Sequence, residues 1–527
     1  MYNDDRMTSE DDTAARRPRI RWWPAPVILT IGVIAHVAVQ TIKGDTNQQL
    51  ANMGSGAAFI GAAGLLGLWL LFFARLSRRN SLGILAALSL AALLLLAGFR
   101  IRGVTGNLVP LFEWRWSSAA ADVTAQTPEQ PSEETLPGIA DYPQFLGPAR
   151  DGVLAGPALA RDWSATPPVE LWRREVGAGW AGFAVRGHRA VTLEQHGDEE
   201  AVTCYDVANG RALWIHRYPA RYFRVIAGLG PRSTPTIAGD RVFALGATGI
   251  LNCLDLQSGE VVWSTNCIVD SDATVPEWGM SGSPLVLGDK VVVSVGGPDG
   301  RSLVAYSSAD GAFAWGGGSD SAEYSSPQVA SFHGVEQLLI FNTHSVAAHA
   351  PADGELLWEH PWKPKHPHVS QPVPLPGDRL LISSGYGTGS QLVQVSVGDA
   401  GDWSTSRIWR SLSLKAKFTN LIAIADDVYG LDDGILTCVN LGDGRRRWKS
   451  GRYGHGQIVL VGELLLVMAE AGDVVLVEPS PDERRELSRF TALTSKTWNP
   501  PAVAGAYLLV RNDLEAACYR LPLRGDD

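Results

Sequence analysis

Little in this 527-residue chain is equipped for covalent chemistry. It has no Gly-x-Ser-x-Gly elbow, no Gly-x-x-x-x-Gly-Lys phosphate loop and no His-Glu-x-x-His helix, the patterns that place a nucleophile, a phosphate cradle or a zinc pair. Of its eleven histidines, the one close pair is His366 and His368 in Lys-His-Pro-His, and two imidazoles without a further ligand hold a metal weakly. No catalytic residue and no metal-ligand set emerges. What the chain does offer is recognition chemistry, in Arg232, Trp278, Tyr324, His368, Lys417, Asn420, His455, Lys496, Trp498 and Asn499. Cations, indoles and amides of this kind bind by charge, stacking and hydrogen bonding.

Whether they converge depends on the elements that carry them. The chain repeats an eleven-residue frame: Cys204-Tyr-Asp-Val-Ala-Asn-Gly-Arg-Ala-Leu-Trp214 returns from Cys253 to Trp263 and from Cys438 to Trp448. With Ala at its head it recurs from Ala305 to Trp315 and from Ala348 to Trp358. Gly210, Gly259, Gly311, Gly354 and Gly444 stand seventh in each copy, where a tight hairpin needs positive φ. The closing indole is large enough to fill a seam against a neighbouring unit.

Trp214 to Trp263 is 49 residues, Trp263 to Trp315 is 52, Trp315 to Trp358 is 43, and Trp358 to Trp448 is 90, leaving room for a degenerate unit around Trp409. Repeats of roughly 40–50 residues that alternate by twos are propeller blades rather than helical repeats. The expectation is an all-β domain over 141–527, an eight-bladed β-propeller, or seven-bladed if two weak units merge. Blade seven, from residue 457 to about 490, has its Trp replaced near Leu487. Blade eight takes its missing strand from the stretch at Val169 to Arg174, closing the ring and removing open sheet edges. In that frame the ten recognition residues lie just before the innermost strands and face the central funnel. Several cations inside a protein of net charge −10 would suit an anionic ligand or an acidic peptide. The same acidity and a pI near 5.6 argue against nucleic acid.

Cys204, Cys253 and Cys438 occupy one strand position in different blades, too far apart for disulfides. With Cys518 they read as small core residues.

Residues 1–22 read as a cytoplasmic tail ending in Arg16, Arg17, Arg19 and Arg21. Over 23–100, three apolar runs (24–42, 57–73 and 82–99) have the length of transmembrane helices. The first arginine cluster and Arg75, Arg78 and Arg79 belong inside by the positive-inside rule. Everything after residue 100 then lies outside the cytoplasmic membrane, starting with a polar flexible linker over 101–140.

The frame Cys-x-Asp-x-x-x-Gly-x-x-x-Trp resembles the pyrroloquinoline-quinone-type propeller repeat. Further stretches fit the same group: the one from Tyr142 to Gly152, Gly230-Pro-Arg-Ser-Thr-Pro235, Trp278-Gly-Met-Ser-Gly-Ser-Pro284 and Thr497-Trp-Asn-Pro500. They are similar to a membrane-tethered or secreted subgroup called PQQ-like or BamB-like, and the resemblance covers about 141–523. It implies one of two functions. Quinoprotein dehydrogenases of this fold hold pyrroloquinoline quinone (PQQ) against calcium, and many stack it on a disulfide between adjacent cysteines. BamB binds proteins and no quinone. This chain has no Cys-Cys pair and no Cys-x-x-Cys-His haem site, so the expectation is a periplasmic binding scaffold without cofactor. Its partner would be a protein or peptide in the envelope, and the alternative is a PQQ- and calcium-dependent membrane dehydrogenase of alcohols or sugars.

Overall fold

The computed structural model describes residues 20–44, 47–116, 136–363 and 367–525. They divide into two compact units. The first carries three helices: α1 (Pro24–Lys43), α2 (Gln48–Leu68, extended by a π turn over Trp69–Phe73) and α3 (Arg78–Gly98). Each is long and apolar enough to cross a membrane, and side chains such as Leu93 and Leu96 stay more than 60% exposed, as a lipid-facing surface requires. Between α1 and α2 the polar residues pair with one another. Gln40 Nε2 donates to Ser55 Oγ (3.1 Å), Gln48 Nε2 donates to Gln40 Oε1 (2.9 Å), and His36 Nδ1 lies 2.9 Å from Ser55 Oγ. Such bonds glue helices where no water is available.

The stretch expected as flexible linker from residue 101 begins instead as a hairpin, Phe99–Val104 paired with Pro110–Trp114. Its distal part, residues 101–111, belongs to the second unit. Residues 117–135 of the expected linker, residues 1–19 of the expected tail, and His366 lie outside the described residues.

The second unit is a ring of eight antiparallel sheets, so the seven-bladed alternative falls away. The innermost strands, among them Ala184–Arg186, Thr236–Ala238, Leu285–Leu287 and Ala502–Ala504, lie against their neighbours around the centre. Blade eight is completed by Val169–Glu175, paired with Glu515–Arg520 so that Trp172 stands opposite Cys518. Blade seven gains a fifth strand, Val153–Leu154, parallel to Gln457–Val461.

Trp172 opposite Cys518 repeats the pairing of Trp214 with Cys204, Trp263 with Cys253 and Trp448 with Cys438. The indole faces the next blade. Trp172 donates Nε1–H to Val207 O (2.7 Å), Trp214 to Leu256 O (3.0 Å), Trp263 to Ser308 O (3.1 Å), Trp409 to Leu441 O (2.8 Å) and Trp448 to Ser480 O (2.8 Å). Trp358 differs, donating to Gln337 Oε1 of its own blade. The frame glycine of the following blade lies under the ring. A Cβ on Gly210 would stand 2.6 Å from Trp172, on Gly259 2.5 Å from Trp214, on Gly311 2.8 Å from Trp263, on Gly354 2.4 Å from Trp315 and on Gly444 2.7 Å from Trp409. These glycines therefore serve twice, for positive φ and for room.

In blade seven the Trp station opposite Leu476 is Ser488, not Leu487. Trp163 fills the seam instead. Its backbone N–H donates to Ser488 Oγ (2.9 Å) and its ring meets Phe490 edge-on at 5.5 Å. The five cysteines are free and buried.

Gly259→Ala combines φ +74° with that 2.5 Å clash and is expected to destabilise the propeller by roughly 2–4 kcal/mol. Gly239→Ala, at φ +58° with nothing within 4 Å, is expected to cost about 1 kcal/mol. Urea midpoints of the two variants check the difference.

Candidate functional site at the propeller mouth

The loops that enter the inner strands bring most of the recognition residues to one end of the ring. Trp180, Trp498, Phe418, Trp278 and Tyr324 form an arc with successive centroid separations of 5.0, 5.3, 6.2 and 5.2 Å. They line a cavity of about 150 Å³ together with Arg232, Asn420, Gln457 and Phe145. Phe145 arrives from the segment 142–154, which is bonded to inner strands of four blades. Tyr142 bridges Val185, Pro143 O accepts from Ile237, Arg150 donates to Ser283 O and Pro284 O, and Gly152 O accepts from Leu460.

Arg232 donates to Ala227 O (2.9 Å) and lies 4.9 Å over the Tyr222 ring. Burial lowers its guanidinium to about 10. Lys496 Nζ sits 4.3 Å from the Trp180 centroid and 3.9 Å from that of Trp498. Lys417 Nζ sits 4.6 Å from Tyr386. Burial pushes both ammonium groups down to about 8, because desolvation penalises the charged form. The same cause, with the nearby Lys417 and Arg452 charges, drives His455 well below the ordinary imidazole value.

The two lysines are engaged by the hairpin. Lys417 Nζ donates to Gly106 O (3.1 Å) and Lys496 Nζ to Val104 O (2.9 Å). Glu470 accepts the Gly106 N–H (2.5 Å), the His455 N–H (3.0 Å) and the Trp498 indole N–H (2.9 Å). His455 Nε2 lies 2.9 Å from Asn107 Oδ1. Arg102 of the stem donates to Ser495 Oγ (2.9 Å) and pairs with Asp513 at 3.6 Å. The cations expected to await an anion thus hold neutral carbonyls of the protein itself.

Two of the ten residues point elsewhere. His368 is fully buried, stacked on Phe341 at 4.4 Å with its ring nitrogens 2.8 and 3.2 Å from the carbonyls of Asn342 and Lys363. Asn499 is buried with Nδ2 donating to Gly179 O and Ala181 O. Asn420 lines the cavity while its Oδ1 accepts from Gln371 N. Sequence reasoning missed Trp180, Phe418, Glu470 and the hairpin. Phe418 stands between Lys417 and Asn420 in a stretch already singled out, and Trp180 sits among Gly177, Gly179 and Gly182, a glycine cluster that signals close backbone approach.

The family model described as outer membrane protein assembly factor BamB matches residues 198–450. The match spans a little under half of the chain, and the repeats there are similar to those of the PQQ-like family. Among solved structures, this PQQ-like propeller resembles a europium-containing methanol dehydrogenase (12% identity, TM-score 0.55, covering 72% of this chain and 98% of that one). BamB from Moraxella catarrhalis aligns at 20% identity (TM-score 0.34, 66% and 84% covered). The quinohemoprotein alcohol dehydrogenase ADHIIG from Pseudomonas putida HK5 aligns at 13% (TM-score 0.48, 73% and 81%). No curated protein sequence matches. At these identities the likeness concerns the fold.

A calcium-held quinone asks for converging carboxylate and amide oxygens. Among the described residues no three His, Cys, Asp or Glu side chains gather at one point, and Glu470 spends its oxygens on three N–H donors. The aromatic walls suit a planar ring, but these donors do not fit the metal.

The depressed lysines give a pH dependence. Below pH about 8 folded and unfolded chains both hold the Lys417 and Lys496 protons, and above about 10.5 neither does. Between those limits the unfolded chain binds more protons, so these groups make stability rise with pH. Lys417→Met is expected to flatten that rise by roughly 1–3 kcal/mol, read from urea midpoints of both proteins at pH 7.5 and 10.

Proposed function

We propose that this protein is a membrane-anchored binding module. Its three helices fix it in the inner membrane, the propeller lies on the periplasmic side, and the mouth receives a segment of a partner protein in the envelope. One observation carries the reading: Lys417, Lys496 and Glu470 are satisfied by backbone carbonyl and N–H groups of Val104 and Gly106. Those are the groups every polypeptide offers. Around them the aromatic arc supplies a dry, stacking wall of the kind that anchors peptide side chains. The description of the matching family, an outer membrane protein assembly factor, favours partners among proteins under assembly in the envelope.

A second reading, a quinone-dependent membrane dehydrogenase, draws on the fold shared with a methanol dehydrogenase. The two separate cleanly. In detergent, with added PQQ and calcium or a lanthanide, the full-length protein is expected to oxidise neither alcohols nor sugars with an artificial electron acceptor. Peptides selected by display against the same preparation are expected to change the indole fluorescence of the mouth, and Trp498→Phe to weaken their binding. Quinone-dependent turnover, or a failure to select any peptide whose binding depends on the mouth, would overturn the proposal.

A further inference from the structure

We infer that the mouth recognises one local shape, a tight turn with glycine at its centre, and that the protein's own residues 104–107 occupy it as an internal stand-in for the partner. This rests on the reading of the mouth as a peptide site and names what kind of peptide enters.

The turn is built by its own bonds. Thr105 N–H donates to Val109 O (2.9 Å), Leu108 N–H to Thr105 O (2.9 Å) and Val109 N–H to Thr105 Oγ1 (3.1 Å), while Leu108 takes φ +59°. Three mouth side chains read its backbone: Lys417 at Gly106 O, Glu470 at Gly106 N–H and Lys496 at Val104 O. A fourth, His455, performs two tests. Its ring leaves no room at residue 106, where a Cβ would stand 2.3 Å from Cδ2. Its Nε2 meets the Asn107 amide oxygen. The imidazole has little freedom to retreat, since its own backbone N–H is tied to Glu470 and its ring packs on Phe418 at 5.4 Å. Every contact in this set is to backbone, to the glycine or to the amide after it. Selectivity therefore falls on a Gly-Asn turn.

A covalently attached occupant competes at an effective concentration in the millimolar range. A partner turn of similar intrinsic affinity thus binds poorly until the hairpin is loosened.

The test uses the full-length protein in detergent and a disulfide-closed synthetic hairpin of residues 102–110, with a control peptide carrying Val in place of the central glycine. Gly106→Val pushes the internal turn off His455 without altering any mouth residue. Arg102→Ala with Asn107→Ala loosens it without added bulk, and urea unfolding shows that the blades of each variant remain intact. The synthetic hairpin is expected to bind either variant at least tenfold more tightly than the unaltered protein, read from indole fluorescence and from protection of Lys417 and Lys496. The valine control is expected not to bind. Equal binding to unaltered and loosened proteins would show that the internal turn is no competitor. Lysines newly reactive in both variants, without binding of the synthetic hairpin, would refute turn recognition, and peptides of other shapes obtained by display would still stand for the broader reading. Tight binding of the valine control would refute the glycine requirement.

Discussion

The ring stands on one contact, an indole laid on a glycine of the neighbouring blade. Sheets arranged radially twist away from each other, and the wedge between them must be filled by something broad and flat. Trp does this, and at five seams its Nε1–H also reaches a carbonyl of the next blade, so that the donor is satisfied at the place where the ring is buried. A glycine beneath the ring brings the two backbones close enough for both conditions to hold. At five of the eight seams one blade offers its Trp forward onto a Gly that the next offers backward, so the contact recurs around the ring. Where a blade lacks its own Trp, as at Ser488, the segment before the first blade supplies Trp163.

That scaffold fixes the mouth. Inner strands held in place by the seams present their entry loops toward one end, and aromatic faces from five different loops meet within stacking distance. The same crowding dries the site, which is why burial lowers two lysines there to about 8 and why the carbonyls they meet count for more than they would in water. Charge, in this mouth, is a means of holding uncharged backbone.

The repeat made the fold legible: spacing gave blade number, the Gly and Trp stations gave register, and Val169 to Arg174 gave the closure, because each is a local pattern recurring at a fixed interval. The site was only partly legible. Trp278, Tyr324, Lys417, Lys496 and Trp498 could be placed from their positions before inner strands. His368 could not be separated from them, since a loop residue turning inward to stack on Phe341 has the same sequence position as one facing the funnel. The hairpin at residues 101–111 was hidden for a different reason. Short, polar and far in sequence from Lys417, His455, Glu470 and Lys496, it is held by tertiary bonds that no local periodicity records.

Closure by a strand from before the first blade has a cost in time. Trp172 must wait for Cys518, and at a synthesis rate of roughly 5–20 residues per second that wait lasts on the order of 20–70 s. For that interval an unpaired strand and the flank of an unfinished circle are both open to strangers. Four of the seven residues in Val169–Glu175 are charged, which blunts such encounters. The nascent polypeptide is thereby protected by the same segment that later locks it.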